Sequence, residues 1–189
     1  MPDEPVSLRP ATLADAGPLA QFARSSFAAT YGATHDAGRI RIHCDTVLSD
    51  ACFAEALGAA GHEFMLAWRD ADVIGFTQLL PSAAPVSAAR PIELKRFYVD
   101  PSAHGQGLAQ RLFDAALVRA HALQGDLLWL CVYPGNERAQ RFYARQGLQP
   151  IGRVPYHFVD LTEEDLALGL RLPRATGQSG GPPLYSPPS

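Results

Sequence analysis

The residues best suited to chemistry stand at His104-Gly105-Gln106-Gly107, between an apolar stretch ending at Val99 and a long apolar-striped segment. Glycines at a helix start cost backbone entropy, so two of them spaced by one residue need a reason. One reason is an anion. A glycine-bordered helix N-terminus offers unpaired N–H groups and the positive end of the helix dipole to a phosphate. The other is a tight strand-to-helix connection in which glycine relieves crowding, and these residues alone leave both readings open. Two well-known phosphate motifs do not fit. The dinucleotide fingerprint GxGxxG has Gln110 where its third glycine belongs, and the GK[ST] of a P-loop is absent.

The stretch that delivers the chain to this loop, IELKRFYV (92–99), breaks phase. Ile92 and Leu94 share one parity while Phe97 and Val99 hold the other, so a strict two-residue period would send one pair to the wrong face. Either both faces are buried, with Lys95 and Arg96 reaching outward, or an extra residue near Lys95-Arg96 shifts the register as a β-bulge. A bulge leaves backbone groups unpaired and bends its strand, features that favour active sites.

The elements around this stretch alternate. VSLRP (6–10) reads as a first strand, followed by a helix with Leu13, Ala16, Leu19, Ala20, Ala23 and Phe27 at helical spacing, for which Thr12 and Asp15 make an N-terminal capping arrangement. Residues 31–48 read as a loop plus a short helix, and 48–61 as a better helix capped by Ser49. EFMLAWR (63–69) and DVIGFTQLL (72–80) are strands joined hairpin-fashion by Asp70-Ala71, and 81–91 is a proline-broken loop. After the glycine loop comes a helix from about 105 to 124, then DLLWLCVY (126–133), apolar enough for a strand covered on both faces. Asn136 caps a helix that Gly147 ends, and LQPIGRV and DLALGLRL are two last strands. The pattern predicts an α/β (α+β) domain on a mixed sheet over residues 1–172. The Pro/Gly/Ser-rich tail 173–189 is expected to be disordered.

Composition narrows the class. The chain has 189 residues, 47% hydrophobic and 19% charged, as ordinary globular domains do. A net charge of −3 argues against nucleic acid as a partner. Cys44, Cys52 and Cys131 are odd in number with no CxxC pair, which suits free thiols in a reducing compartment. The start carries no secretory pattern and no apolar stretch is long enough for a bilayer, so a cytoplasmic protein with no membrane partner is expected. His35, His43, His62, His104, His121 and His157 are scattered, and no metal is expected.

Two separated motifs then carry a resemblance. The GNAT superfamily of acyl-CoA-dependent N-acetyltransferases has a pyrophosphate loop reading Arg or Gln, two residues, Gly, one residue, then Gly or Ala. Gly107 and Ala109 fill its last two fixed positions, and His104 stands where Arg or Gln is usual. After the next strand the family reads Asn-x-x-Ala-x-x-Phe-Tyr-x-x-x-Gly-(Phe or Leu). Asn136, Ala139, Phe142, Tyr143, Gly147 and Leu148 stand at those spacings. The chain resembles that superfamily over about residues 6 to 172. SSFAATYG (25–32), the helix at 48–61, IELKRFYVD and EEDLALGLRL are most like its bacterial spermidine/spermine N-acetyltransferase branch.

The resemblance implies a fold of a mixed, mostly antiparallel sheet with splayed central strands, flanked by helices. It implies transfer of acetyl from acetyl-CoA, the cosubstrate, to a primary amine of a small molecule, polyamine-type favoured, by direct attack. Tyr143 would be the general acid for the leaving thiolate and Glu93 the base for the amine. A backbone N–H freed at the bulge, near Phe97 to Val99, would meet the oxyanion, and the pantetheine arm would run along Phe97-Tyr98-Val99. His104, Gly105, Gln106, Gly107, Leu108 and Ala109 would hold pyrophosphate, with Asn136, Ala139 and Phe142 also lining the cofactor. Against these stand plainer roles: Glu93 pairing with Lys95, Tyr143 packing beside Phe142, Asn136 serving only as a cap. The acceptor pocket would draw on Tyr31, His35, Asp36 and Asp45 on one side and Tyr156, His157, Glu163 and Glu164 on the other. Rival readings are an acyl-CoA-binding sensor without turnover, or a transferase acting on a protein N-terminus or an aminoglycoside. A homodimer is a further option.

Overall fold

Several helices start where a side chain accepts from a free N–H group. The computed structural model describes residues 6–173. After strand β1 (Ser7–Pro10), the Asp15 carboxylate accepts from the Thr12 N–H at 2.7 Å and from its hydroxyl at 2.9 Å. A 3-10 turn (Leu13–Asp15) then opens α1 (Ala16–Tyr31), which runs past Phe27, the last position of its apolar spacing. Asp36 caps α2 (Ala37–Thr46) by accepting from the Arg39 N–H, and Ser49 caps α3 (Asp50–Gly58) through the Cys52 N–H.

The strands follow. β2 (Glu63–Arg69) and β3 (Asp72–Pro81) pair through the two-residue connection Asp70-Ala71, with Asp70 left-handed at φ 54°. β4 (Pro91–Val99) leads through a second 3-10 turn and the glycine loop into α4 (Leu108–Ala122), which starts at Leu108 rather than 105. β5 (Leu127–Val132), α5 (Glu137–Arg145), β6 (Gln149–Phe158) and β7 (Leu161–Arg171) complete the described chain. The last two strands are longer than their apolar cores suggest. Residues 155–164 belong to a hairpin whose polar pairs, such as Tyr156↔Glu163, gave no alternating signal. The predicted disordered tail lies outside the described residues except for Pro173.

The seven strands form one sheet in the order β1-β2-β3-β4-β5-β7-β6. Every pairing is antiparallel except β4 with β5. Helices cover both sides. α1, α2 and α3 bury Leu19, Phe22, Phe27 and Phe53 against Leu66, Phe76 and Phe158. α4 and α5 bury Phe113, Ala116 and Tyr143 against Ile92, Leu94, Leu128, Leu130 and Leu168. The mixed, helix-flanked α/β sheet expected from the sequence is the one observed.

The phase break in IELKRFYV is a bulge. Leu94 faces Leu79 and Arg96 faces Gln78, so Lys95 is the extra residue. The inserted residue restores the phase, and Ile92, Leu94 and Phe97 all turn to the α4–α5 side. Glu93 and Tyr98 therefore share the other side, toward α1–α3.

The parallel pair is short. Pro91, Ile92 and Glu93 pair with Leu127, Leu128 and Trp129, and there the ladder ends. β4 runs on to Val99 and β5 to Val132 with a wedge opening between them.

Candidate active site

Because β4 and β5 are parallel, their C-terminal ends lie on the same side of the sheet, at the mouth of the wedge. The elements that follow them, the glycine loop with α4 and the Asn136 turn with α5, meet there. Gln110 and Gln146 exchange two side-chain hydrogen bonds of 2.9 and 2.7 Å, tying α4 to α5.

At the glycine loop the backbone decides. Gly105 and Gly107 both have φ +78°, in the left-handed region, and a Cβ added at either would meet nothing within 4 Å. Crowding is therefore not why glycine stands here. The chain needs positive φ, and the space in front of it is open. The first bond of α4 runs from the Arg111 N–H to the Gly107 carbonyl, so the N–H groups of Leu108, Ala109 and Gln110 precede it, and no side chain caps them. Gly105, Gln106 and Gly107 are exposed, whereas Leu108 anchors the helix in the core. This geometry suits a phosphate.

His104 is turned away from a charged role. Its Nε2 lies 3.2 Å from the Val99 carbonyl, fastening the loop to the end of β4, and burial together with nearby Arg138 lowers its pKa. Gln106 braces the loop: its side-chain N–H donates to the Ser102 carbonyl at 2.9 Å and its Oε1 accepts from Arg69 at 2.9 Å.

The expectation of a bulge-freed N–H near Phe97 to Val99 needs correction. The bulge is at Lys95, and Phe97, Tyr98 and Val99 pair regularly with Thr77, Phe76 and Gly75 of β3. What their stretch offers a ligand is the β5-facing edge, which among the described residues has no strand partner beyond Glu93. The Phe97 side chain stacks on Phe142 at 5.5 Å, and both half-buried rings pack against the core together with Ala139. Asn136 is a helix cap, its Oδ1 accepting from the Ala139 N–H at 3.1 Å.

Tyr143 and Glu93 approach the wedge from opposite sides of the sheet. The Tyr143 ring packs on Phe97 and Phe142 in the α4–α5 core. Burial pushes its pKa up, and the neighbouring Tyr98, on the far side of the sheet, adds to the shift. A phenol held protonated is what a proton donor must be. The Glu93 side chain is 7% exposed and pairs with Lys95 at 3.3 Å, so the plainer pairing is realised while the carboxylate stays at the last rung before the wedge.

On the α1–α2 side, aromatic groups converge. His35 lies with ring centroids 5.4 Å from Tyr31, 5.4 Å from Tyr133 and 5.0 Å from Phe158, and its Nε2 is 3.4 Å from Glu163. Burial raises the pKa of Tyr31, and Tyr98, Tyr156, Asp165 and Tyr143 reinforce the shift. Asp36 instead caps α2, Asp45 is exposed on it, His157 bonds Thr162, and Glu164 pairs with Arg153 at the surface.

Three site residues escaped the sequence reading. Arg96 is a half-buried cation held by Gln78, the Val47 carbonyl and the Phe53 ring. Tyr133 stands just past β5. Asp165 is buried on β7, and its signal was available: Ala167 and Gly169, at its own parity, are too small and apolar for a solvent face. Among the described residues no three His, Cys, Asp or Glu side chains gather to hold a metal, and no helix is long and apolar enough to cross a membrane. The three cysteines are free.

A splayed parallel pair followed by a glycine loop and a helix is the arrangement that the resemblance to acyl-CoA-dependent N-acetyltransferases implied. The comparisons agree, for the model of the Acetyltransferase (GNAT) family matches residues 26–148. The chain belongs to that family and is an acetyl-CoA-dependent N-acetyltransferase. An uncharacterized N-acetyltransferase of Mycobacterium tuberculosis is 31% identical over 156 residues, covering 82% of this chain and 97% of that one. In fold, the chain is similar to the PaiA N-acetyltransferase of Thermoplasma acidophilum, solved with coenzyme A. The TM-score is 0.75 at 19% identity, covering 89% of this chain and 99% of that one. It is also similar to YncA, a putative acetyltransferase of Salmonella typhimurium solved with acetyl-CoA, with a TM-score of 0.64 at 16% identity over 94% and 100% of the two chains.

Proposed function

We propose that the enzyme transfers acetyl from acetyl-CoA to a primary amine of a small, polyamine-type acceptor by direct attack, with residues 1–172 as the working domain. The observation that carries the reading is the wedge between β4 and β5, flanked by Glu93 and Tyr143 and opening toward the glycine loop. The pyrophosphate would sit on the N–H groups of the loop and the first turn of α4, and the pantetheine amides on the unpartnered edge of β4. PaiA and YncA, solved with coenzyme A and acetyl-CoA, support a cosubstrate in this fold.

The steps follow from the groups present. Glu93, directly or through water, takes a proton from the acceptor ammonium, and the neutral nitrogen attacks the thioester carbon. The C–N bond forms, the carbonyl electrons move to oxygen, and backbone N–H groups on the β4 edge meet that charge. As the carbonyl re-forms, the C–S bond breaks, Tyr143 gives its proton to the departing thiolate, and the second proton lost by the attacking nitrogen returns through solvent to the Tyr143 phenolate, leaving a neutral amide. The products are the N-acetylamine, free coenzyme A thiol and the proton first removed.

Thiol release from acetyl-CoA with spermidine, followed across pH, tests the reading. Amine-dependent release with an acid-side fall supports it. Release no faster than hydrolysis removes spermidine as acceptor.

A further inference from the structure

On β7, Leu166, Leu168 and Leu170 pack on the α4–α5 side, which sends Asp165 and Glu163 to the α1–α2 side. Asp165 is only 7% exposed, and among the described residues its Oδ1 has no hydrogen-bond partner. Burial raises its pKa to about 6, and the charge that bears on it is that of Glu163, a second carboxylate. A buried carboxylate beside a like charge, with an oxygen unpaired, costs free energy, so a native structure keeps one for a reason.

The surroundings indicate what completes it. Tyr31, Tyr156 and Cys131 all lie within electrostatic reach of Asp165. Tyr156 is the strand partner of Glu163, and Tyr133 with His35 closes the aromatic wall against Tyr31. Arg96, a half-buried guanidinium on this side, is engaged by Gln78, the Val47 carbonyl and the Phe53 ring. A carboxylate among aromatic rings is a setting that favours an ammonium ion.

We propose that Asp165, walled by Tyr31 and Tyr156, holds a second, non-reacting protonated amine of the acceptor while the first is acetylated at the wedge. The inference rests on the reading of the enzyme as a small-amine acetyltransferase and names the residue that selects among such amines. A diamine presents one end to the thioester and leaves the other charged. A monoamine of equal length leaves Asp165 unpaired.

The test compares putrescine with butylamine at saturating acetyl-CoA, in the wild type and in Asp165→Asn, an isosteric change. The wild type should prefer the diamine in kcat/KM by about tenfold to hundredfold, the worth of a hydrogen-bonded charge. The variant should lose most of that preference through the KM for putrescine, with acetyl-CoA affinity on each sample reporting an intact fold. An equal preference in both proteins, or none in the wild type, overturns the inference and leaves the transferase reading standing. If neither amine releases thiol, calorimetric titration of putrescine into coenzyme A-saturated protein decides. Binding that weakens at least about tenfold in Asp165→Asn supports the cation site while the polyamine-transfer reading falls. No binding to the wild type overturns the site.

Discussion

Glu93 reaches back to Lys95, its Oε1 3.3 Å from the lysine Nζ, and Lys95 is the residue that the β4 bulge inserts. The irregularity that restores the phase of the strand thus also holds the carboxylate at the last rung before the wedge. With Glu93 as base, Glu93→Gln should lower kcat by about a hundredfold to ten-thousandfold and leave acetyl-CoA affinity near the wild-type value. Steady-state kinetics with cosubstrate binding on the same samples checks this. An unchanged kcat would reduce Glu93 to the lysine's partner.

Tyr143→Phe removes one hydroxyl from a ring packed on Phe97 and Phe142, so the core loses no apolar contact. Acetyl-CoA should still bind while thiol release slows about a hundredfold or more, because the thiolate then leaves without a donor. A sensor that never turns over would be indifferent to the change, and full activity in the variant would assign the proton to another group.

Gly107→Ala isolates the backbone. The added methyl meets nothing within 4 Å, yet the residue must hold φ +78°. The expected cost is about 1 kcal/mol of stability, from strain alone. Acetyl-CoA affinity should fall further than stability does, because the strain lies where the phosphates would rest. Equal affinity in the two proteins would move the pyrophosphate elsewhere.

Asp165→Asn should stabilise the protein at neutral pH. The folded pKa of about 6 lies above the unfolded value of about 3.9, so the folded state holds the proton more tightly and its advantage shrinks as pH rises through that interval. Above pH 6 the Asn variant should be more stable by about 1–2 kcal/mol after allowing for solvent screening, and below pH 4 the difference should vanish. His43, held down to about 4 by burial, titrates in the opposite sense but in both proteins, so it cancels. Denaturant melts at the two ends of the range measure the effect. A less stable variant at neutral pH would mean that Asp165 already has a counter-ion.

Legibility in the sequence followed the range of each signal. Local capping was readable because it is settled within four residues, as Thr12–Asp15, Ser49 and Asn136 show. The bulge was readable as a parity fault, though its location at Lys95 depends on the register with β3. The glycine loop and Tyr143 stood out because both motifs are contiguous. The α1–α2 side of the site was readable in part: Tyr31, His35, Tyr156 and Glu163 were acceptor-pocket candidates, whereas Tyr133, just past β5, and Asp165, on β7, each look alone like an ordinary aromatic or polar residue. The hairpin at 155–164 was hidden because its outward residues are polar and its proline suggests an ending.

The three-rung pairing of Pro91–Glu93 with Leu127–Trp129 has a mechanical consequence. Strands β1 to β4 form one plate and β5 to β7 another, each laced by long antiparallel ladders, and this seam is the backbone joint between them. Prying two plates about a short seam is the softest deformation such a sheet allows, because it breaks no ladder within either plate. A molecule seated in the wedge acts as a keystone, and its departure returns the freedom. The empty enzyme should therefore exchange amide hydrogens fastest along β5 and the late part of β4, and loading with cosubstrate should quiet both edges at once.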